Sequence, residues 1–183
     1  MLATRLTLVC HGRTAAQKFA RFALDEPLLE PGAVAMLPPP WQLLSAPELR
    51  ARQTAAQFGC APTLEPALRD CDMGRWAGLP IKQLQRDEAP ALECWLSDSS
   101  SAAHGGESIA MLCHRVGTWM DSLTARPGHW LAVSHPQVVR AALVHALQGP
   151  PGAFTLIDVE PLARIHLQFN GRWRLRLPAP GEE

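Results

Sequence analysis

The sequence LTLVCHGRT at residues 6–14 places a short run of apolar, β-favouring residues directly before a histidine and a glycine. A second strand-like run, WLAVSH at residues 130–135, also ends at a histidine. In a parallel α/β sheet, residues just past the carboxyl ends of buried strands face one crevice. His11 and His135 are therefore predicted to share one site.

The composition favours a single folded unit with no strong charge of either sign. The chain has 183 residues, 47% of them apolar, which is enough for a substantial core. Lys plus Arg equal Asp plus Glu at 17 each, so no overall field attracts nucleic acid or an anionic membrane. We expect no nucleic-acid partner and no membrane partner.

The cysteine pattern and the first residues of the sequence indicate a cellular compartment. The five cysteines form no C-x-x-C pair, which disfavours both a disulfide framework and a zinc site. No basic segment leads into a long apolar stretch near the start of the chain. We expect an unprocessed, soluble, cytoplasmic protein with reduced thiols and no bound metal.

Hydrophobic periodicity predicts alternating strands and helices. Short strands are expected at residues 6–9, 42–44, 63–64 and 130–133. Helices are expected at residues 15–21, from near Ser45 through Gln57, from Ser108 to Leu123, and at 138–147. Strands alternating with helices in this way favour parallel crossover connections.

The end of the chain has a different pattern. Residues 165–169 and 173–177 alternate apolar and polar positions around Asn170-Gly171, which favours a β-hairpin with a type I′ turn at the sheet edge. The predicted fold class is therefore α/β, a three-layer sandwich with a mainly parallel central sheet and a C-terminal β-hairpin.

The domain organisation predicted is one domain over residues 1–183. A loop-rich passage with several prolines covers residues 27–40. Helical patches interrupted by Pro90 and by a serine-rich stretch fill residues 80–104. We interpret residues 79–107 as an insertion that lies over the site.

Five short motifs follow one another along the chain: CHGRT at 10–14, RARQTA at 50–55, LRDCDMGRWAG at 68–78, GGES at 105–108 and SHPQ at 134–137. Together they resemble the histidine phosphatase superfamily, with its phosphoglycerate mutase-like fold. That family has Arg-His-Gly-x-Thr after its first strand, Arg-Ala-x-Gln-Thr-Ala on a helix, and Leu-Arg-Glu before a Gly-x-Trp-x-Gly turn. The GGES motif is similar to that of the small bacterial phosphatases.

The resemblance implies a metal-independent phosphomonoester hydrolase that needs no cofactor and acts on a small phosphorylated metabolite. His11 would be the nucleophile that forms a phosphohistidine. Arg50 and a protonated His135 would neutralise the phosphoryl oxygens. Asp70 would be the proton donor, which requires a raised pKa.

Further residues around these motifs are predicted to contact substrate: Gly12, Arg13, Thr14 and Glu107. Asp72 is an alternative to Asp70 as the acid. A homodimer is left open.

Two positions depart from the family pattern in ways that weaken the pocket. Cys10 stands where the family has arginine, which removes a cation, and Arg13 is a candidate to replace it. Pro136 stands where the family has glycine, which removes a backbone N–H. The alternative function is therefore a weakened or inactive family member that binds a phosphorylated ligand or partner.

Two other classes of enzyme are less favoured. Cys10 suggests a cysteine phosphatase, but Arg13 follows it too closely for the usual phosphate-binding loop. A mutase is disfavoured because the chain is shorter than the family's mutases.

Overall fold

The computed structural model of the protein describes residues 3–30, 34 and 41–177. The strands are β1 (Thr4–Cys10), β2 (Gln42–Ser45), β3 (Thr63–Leu64), β4 (His129–Ser134), β5 (Arg164–Phe169) and β6 (Trp173–Arg176). The α-helices are α1 (Ala15–Lys18), α2 (Leu49–Ala56), α3 (Ile81–Asp87), α4 (Ala89–Ser97), α5 (Ile109–Leu123) and α6 (Pro136–Ala146). Single turns of 3₁₀ helix lie at Pro66–Leu68 and Gly74–Trp76, and a longer one at Pro151–Leu156.

The six strands form one mixed sheet in the order β3-β2-β4-β1-β5-β6. β4 is parallel to both of its neighbours, β1 and β2, and β2 is parallel to β3. β5 runs antiparallel to β1 and to β6, so the hairpin lies at the sheet edge. The predicted α/β fold class with a mainly parallel sheet is confirmed.

Burial explains why these segments form the centre of the molecule. Leu6 and Leu8 of β1 and Leu131 of β4 are completely buried, as expected for strands covered on both faces. The apolar stripe of α5 is buried too, and the Ser108 hydroxyl accepts a hydrogen bond from Met111 N at its start, at 3.2 Å. Helices α5 and α6 pack against each other.

Two predicted helix starts were wrong. Ser45 is the last residue of β2, and α2 begins only at Leu49 with Glu48 as its N-cap. Helix α6 begins at Pro136, because proline has a helical φ and its missing N–H costs nothing in the first turn.

The predicted type I′ turn was also wrong. The hairpin loop has three residues, since Phe169 pairs with Trp173 across it. Only Gly171 among them has a positive φ, at 76°, whereas a type I′ turn needs two such residues.

The proline-rich passage predicted at residues 27–40 lies largely outside the described residues. Within the part of the chain that the structure describes, no helix has the length and apolar character needed to cross a bilayer.

Candidate active site

The parallel strands β1 and β4 bring the two predicted histidines together. His11 follows β1 directly, and its backbone N–H donates to Ser134 O at the end of β4 at 2.8 Å. His135 is the next residue along. The two imidazole rings meet edge to face, with centroids 5.2 Å apart, so both lie at the same edge of the sheet.

The surroundings of His11 keep its imidazole neutral. Burial, together with the charges of His135 and Arg50, lowers the pKa of His11 from 6.5 to about 4, although the hydrogen bond to Gly12 opposes the shift. Nδ1 donates to Gly12 O at 2.7 Å. Since a neutral imidazole has one proton, Nε2 has a free lone pair that can act as a nucleophile.

Helix α2 places Arg50 in the same cluster. The side chain is only 2% exposed. Nη1 donates to Leu24 O at 2.8 Å, and Nη2 donates to Asp70 Oδ2 at 2.6 Å. Nε is buried with no hydrogen-bond partner among the described residues. Arg50 is therefore a buried cation in which one N–H group, Nε–H, makes no hydrogen bond to the described residues.

Asp70 also belongs to this cluster. The prediction that its pKa is raised was wrong. Burial does raise the pKa of Asp70, yet the charges of His135, Arg50 and His11 outweigh it and bring the pKa below the ordinary value. The carboxylate accepts from Arg50 and lies 3.5 Å from His135 Nδ1. With these neighbours Asp70 is ionised at neutral pH.

Glu48 is a site residue that the sequence analysis missed. Its Oε2 accepts from His135 Nε2 at 2.8 Å, and its Oε1 accepts from the Asp70 backbone N–H at 3.0 Å. The only sequence signal was an acidic residue two positions before Arg50, which the motif did not single out.

The hydrogen bond to Glu48 determines how His135 is presented. His135 is fully buried. Its Nε2 is bound to Glu48. Its other ring nitrogen, Nδ1, has no hydrogen-bond partner among the described residues. Buried polar atoms without partners are rare in proteins, so Nδ1 is open to a ligand.

The residues beside His11 that were predicted to contact substrate either make local contacts or face solvent in this structure. Gly12 N donates to Thr54 Oγ1 at 3.0 Å. Thr14 is buried and is the N-cap of α1. Arg13 is exposed, and its side chain makes no hydrogen bond or ion pair with the described residues. Arg13 therefore does not fold back into the place of the missing arginine in this structure.

Glu107 takes part in an ion pair with Arg115. Its carboxylate binds the Arg115 guanidinium through two contacts of 2.8 and 2.6 Å. Arg115 also donates to Ala67 O and Arg69 O, just before the acidic turn. Glu107 thus supports the segment that carries Asp70.

The remaining candidate groups lie outside the cluster or are inert. Asp72 is exposed, and its carboxylate accepts from Gly74 N instead of contacting a histidine. Cys10 is fully buried, and burial and Asp70 raise the pKa of its thiol to about 12, so it is no thiolate nucleophile. Among the described residues, no three His, Cys, Asp or Glu side chains are grouped to hold a metal ion.

A neutral imidazole beside the buried Arg50 guanidinium, at the carboxyl ends of parallel strands, is an arrangement that can hold an anionic group next to a nucleophilic nitrogen. The chain belongs to the histidine phosphatase superfamily (branch 1), whose family model matches residues 6–178, and it is a phosphatase. The predicted family is confirmed.

Individual relatives agree with this assignment. A glucosyl-3-phosphoglycerate phosphatase of Mycobacterium tuberculosis is 30% identical over 206 aligned positions, covering 100% of this chain and 90% of the relative. Its mycobacterial counterpart solved with VO3 has a TM-score of 0.81 at 24% identity, covering 96% of this chain and 98% of the other. A putative α-ribazole-5′-P phosphatase from Escherichia coli has a TM-score of 0.78 at 22% identity, covering 96% and 95%. The two structural matches show a shared fold.

The lowered pKa of His11 predicts that stability falls as the pH is lowered. The unfolded chain binds a proton at His11 below 6.5, whereas the folded protein does so only near 4. Between these values the unfolded state holds more protons, so acid favours unfolding. We expect urea unfolding to show about 2 kcal/mol less stability at about pH 5 than at about pH 7.5 from this group.

The matched variant His11→Asn removes the titrating ring. Groups far from His11 contribute equally to both proteins, so their contribution cancels in the difference between them. An identical pH dependence in wild type and variant would show that His11 is not held neutral by the fold.

Proposed function

We propose that the protein hydrolyses the phosphomonoester of a small phosphorylated metabolite, without a metal, through a phosphohistidine on His11. The observation that carries this proposal is the neutral His11 imidazole next to two buried nitrogens without hydrogen-bond partners among the described residues, Arg50 Nε and His135 Nδ1. These groups match a phosphoryl group in charge and in hydrogen bonding. A purely structural histidine pair would not explain why two buried polar nitrogens lack partners.

In the first step, His11 Nε2 attacks phosphorus in line while the bond to the leaving oxygen breaks. Arg50 and His135 stabilise the charge on the phosphoryl oxygens. In the second step, water attacks phosphorus, the phosphorus–nitrogen bond breaks, and inorganic phosphate leaves. His11 thereby returns to its starting state.

Asp70 is the proposed proton donor to the leaving oxygen. Its carboxyl group is ionised in this structure because the charges of His135 and Arg50 lower its pKa. A phosphate dianion would share those cations and add its own negative charge beside the carboxylate, which raises a carboxyl pKa. Substrate binding would thus protonate Asp70, and in the second step its carboxylate would take the proton from water.

The substrate is best sought among phosphorylated hydroxy acids and sugars, since a relative acts on glucosyl-3-phosphoglycerate. The test is phosphate release from a panel that includes glucosyl-3-phosphoglycerate, phosphoserine and α-ribazole 5′-phosphate. One metabolite should be hydrolysed well above a generic aryl phosphate. If no phosphate is released from any of them, the hydrolase proposal fails.

A specific observation favours the second candidate, a weakened member that binds a phosphorylated ligand. Cys10 stands in place of the arginine that the family has at this position, and the exposed side chain of Arg13 does not replace that arginine in the pocket. Pro136 begins α6 without a backbone N–H. Binding of phosphate without turnover would support this candidate.

Restoring the missing cation should raise activity. Cys10 is fully buried at the end of β1, and the charges of Asp70 and Arg50 both act on its thiol, so an arginine at this position lies close to the phosphoryl pocket. Since one transition-state donor is commonly worth about a hundredfold in rate, we expect Cys10→Arg to increase kcat/KM for an aryl phosphate by at least about tenfold.

The matched control is Cys10→Met, which adds length without charge. An increase with methionine as large as that with arginine would contradict the missing-cation explanation, as would an unchanged rate in a folded Cys10→Arg protein.

The protein is further proposed to be one domain in which residues 79–107 lie over the site. In support, the end of this segment is tied to the acidic turn, because Glu107 N donates to Asp72 O at 2.7 Å and Arg75 N donates to His104 O at 3.0 Å. A cytoplasmic location without nucleic-acid or membrane partners is proposed on the balanced charge and unpaired thiols. A homodimer stays open.

A further inference from the structure

Glu48 connects two of the proposed catalytic residues through one side chain. Oε2 accepts from His135 Nε2 at 2.8 Å, while Oε1 accepts from the Asp70 backbone N–H at 3.0 Å. The side chain is 20% exposed, so water competes little for these contacts. Glu48 therefore fixes the position of His135 relative to the segment that carries Asp70.

This carboxylate is not used to stabilise its own helix. Glu48 is the N-cap of α2, but its side chain makes no capping hydrogen bond, although an acidic N-cap commonly accepts from the first turn. Instead, Asp25 accepts from Leu49 N at 2.7 Å at this helix end. Both oxygens of Glu48 are thus committed to the site.

The hydrogen bond to Glu48 selects which ring nitrogen of His135 faces the pocket. A carboxylate can only accept, so Nε2 must carry the proton between them. Burial raises the pKa of Glu48, but the hydrogen bond and charge of His135 outweigh it, and Glu48 remains a carboxylate at neutral pH. Nδ1 then points to the side where Asp70 and the His11 ring lie.

We propose that Glu48 is a positioning residue: by accepting from Nε2–H it orients His135 and stabilises the imidazolium form of the ring, so that Nδ1 also carries a proton and donates it to a phosphoryl oxygen in the transition state. This inference rests on the proposed function. A carboxylate on one ring nitrogen commonly fixes the direction of the other nitrogen and favours the cationic ring. The same carboxylate adds negative charge near the pocket, so a purely repulsive role predicts the opposite effect of its removal.

The test compares Glu48→Leu, Glu48→Gln and Glu48→Asp with wild type. With an aryl phosphate, we expect kcat to fall about ten- to a hundredfold in Glu48→Leu, as for other partners that orient a functional histidine. Glu48→Gln should lose less because its amide oxygen can still accept, and Glu48→Asp should retain most activity if the shorter chain reaches Nε2. Glu93→Leu removes an exposed carboxylate of α4 and is the matched control.

Inhibition constants separate orientation from a general disturbance of the fold. Orthovanadate resembles the transition state of phosphoryl transfer, whereas inorganic phosphate resembles the product. If Glu48 positions His135 for the transition state, Glu48→Leu should weaken vanadate inhibition more than phosphate inhibition. Equal weakening of both, or a higher kcat than wild type, would overturn the proposal.

A spectroscopic readout keeps the inference independent of turnover. In ¹⁵N-labelled protein, the His135 Nε2–H proton should be protected and shifted downfield in wild type and Glu48→Gln, and it should be lost in Glu48→Leu. If wild type bound vanadate but hydrolysed nothing, the proposed function would fail alone, and vanadate affinity with this resonance would still decide the role of Glu48. If Glu48→Leu does not fold, Glu48→Ala, which also lacks an acceptor for Nε2–H, takes its place in both comparisons.

Discussion

The variant His11→Ala should lose turnover with every substrate, with kcat for an aryl phosphate falling by at least about a thousandfold. The reason is that Nε2 of His11 is the proposed attacking atom. His11 is buried at the end of β1, and its Nδ1 is bound to Gly12 O. Both features fix the direction of Nε2, which alanine cannot replace. The measurement is phosphate release under single-turnover conditions.

The control is His114→Ala, which removes an exposed histidine from α5. It should leave the rate unchanged. A His11→Ala protein that is folded, binds phosphate and still turns over at a rate close to wild type would contradict a nucleophilic role for His11.

The second large effect is expected at Arg50, in both catalysis and stability. Arg50→Lys keeps the charge but loses the planar fork that reaches Leu24 O and Asp70 together. We expect kcat/KM to fall by about a hundred- to a thousandfold, the usual effect of removing one transition-state donor. Arg50→Ala should have at least this effect on the rate.

Arg50→Ala should also destabilise the fold. It leaves the Asp70 carboxylate without its cation in a mostly buried site, and breaking a buried pair commonly costs about 3–5 kcal/mol. Arg52→Ala, an exposed change on the same helix, should alter neither rate nor free energy of unfolding. If Arg50→Ala were no less stable than Arg52→Ala, the ion pair with Asp70 would not contribute as described.

The fold could be predicted from sequence because its signals are local. The apolar runs at residues 6–9 and 130–133 have the composition of buried parallel strands, and α5 shows its stripe with helical spacing. Errors occurred at element ends, where competing local interactions decide. Ser45 completed a strand instead of capping a helix, and Asn170 kept a negative φ.

The site was only partly predictable, because sequence spacing does not reveal which groups meet across the fold. Motif order indicated His11, Arg50, Asp70 and His135, and the structure brings these four together. Glu48 was missed since its partners lie far away in sequence.

The ionisation of Asp70 and the partner of Glu107 could not be foreseen either. Both depend on partners whose positions are known only after folding: His135 and Arg50 lower the pKa of Asp70, and Arg115 binds the Glu107 carboxylate. Three-dimensional contacts of this kind change a residue's role without any change in its motif.

The most direct test of the account is to isolate the protein during turnover of an aryl phosphate, quench it in alkali, and locate the phosphoryl group by mass spectrometry. A phosphohistidine is stable in alkali and labile in acid. The account predicts one such adduct, at His11, that forms and decays at rates compatible with kcat and is absent in His11→Ala. Turnover without any adduct at His11, or an adduct at another residue, would contradict it.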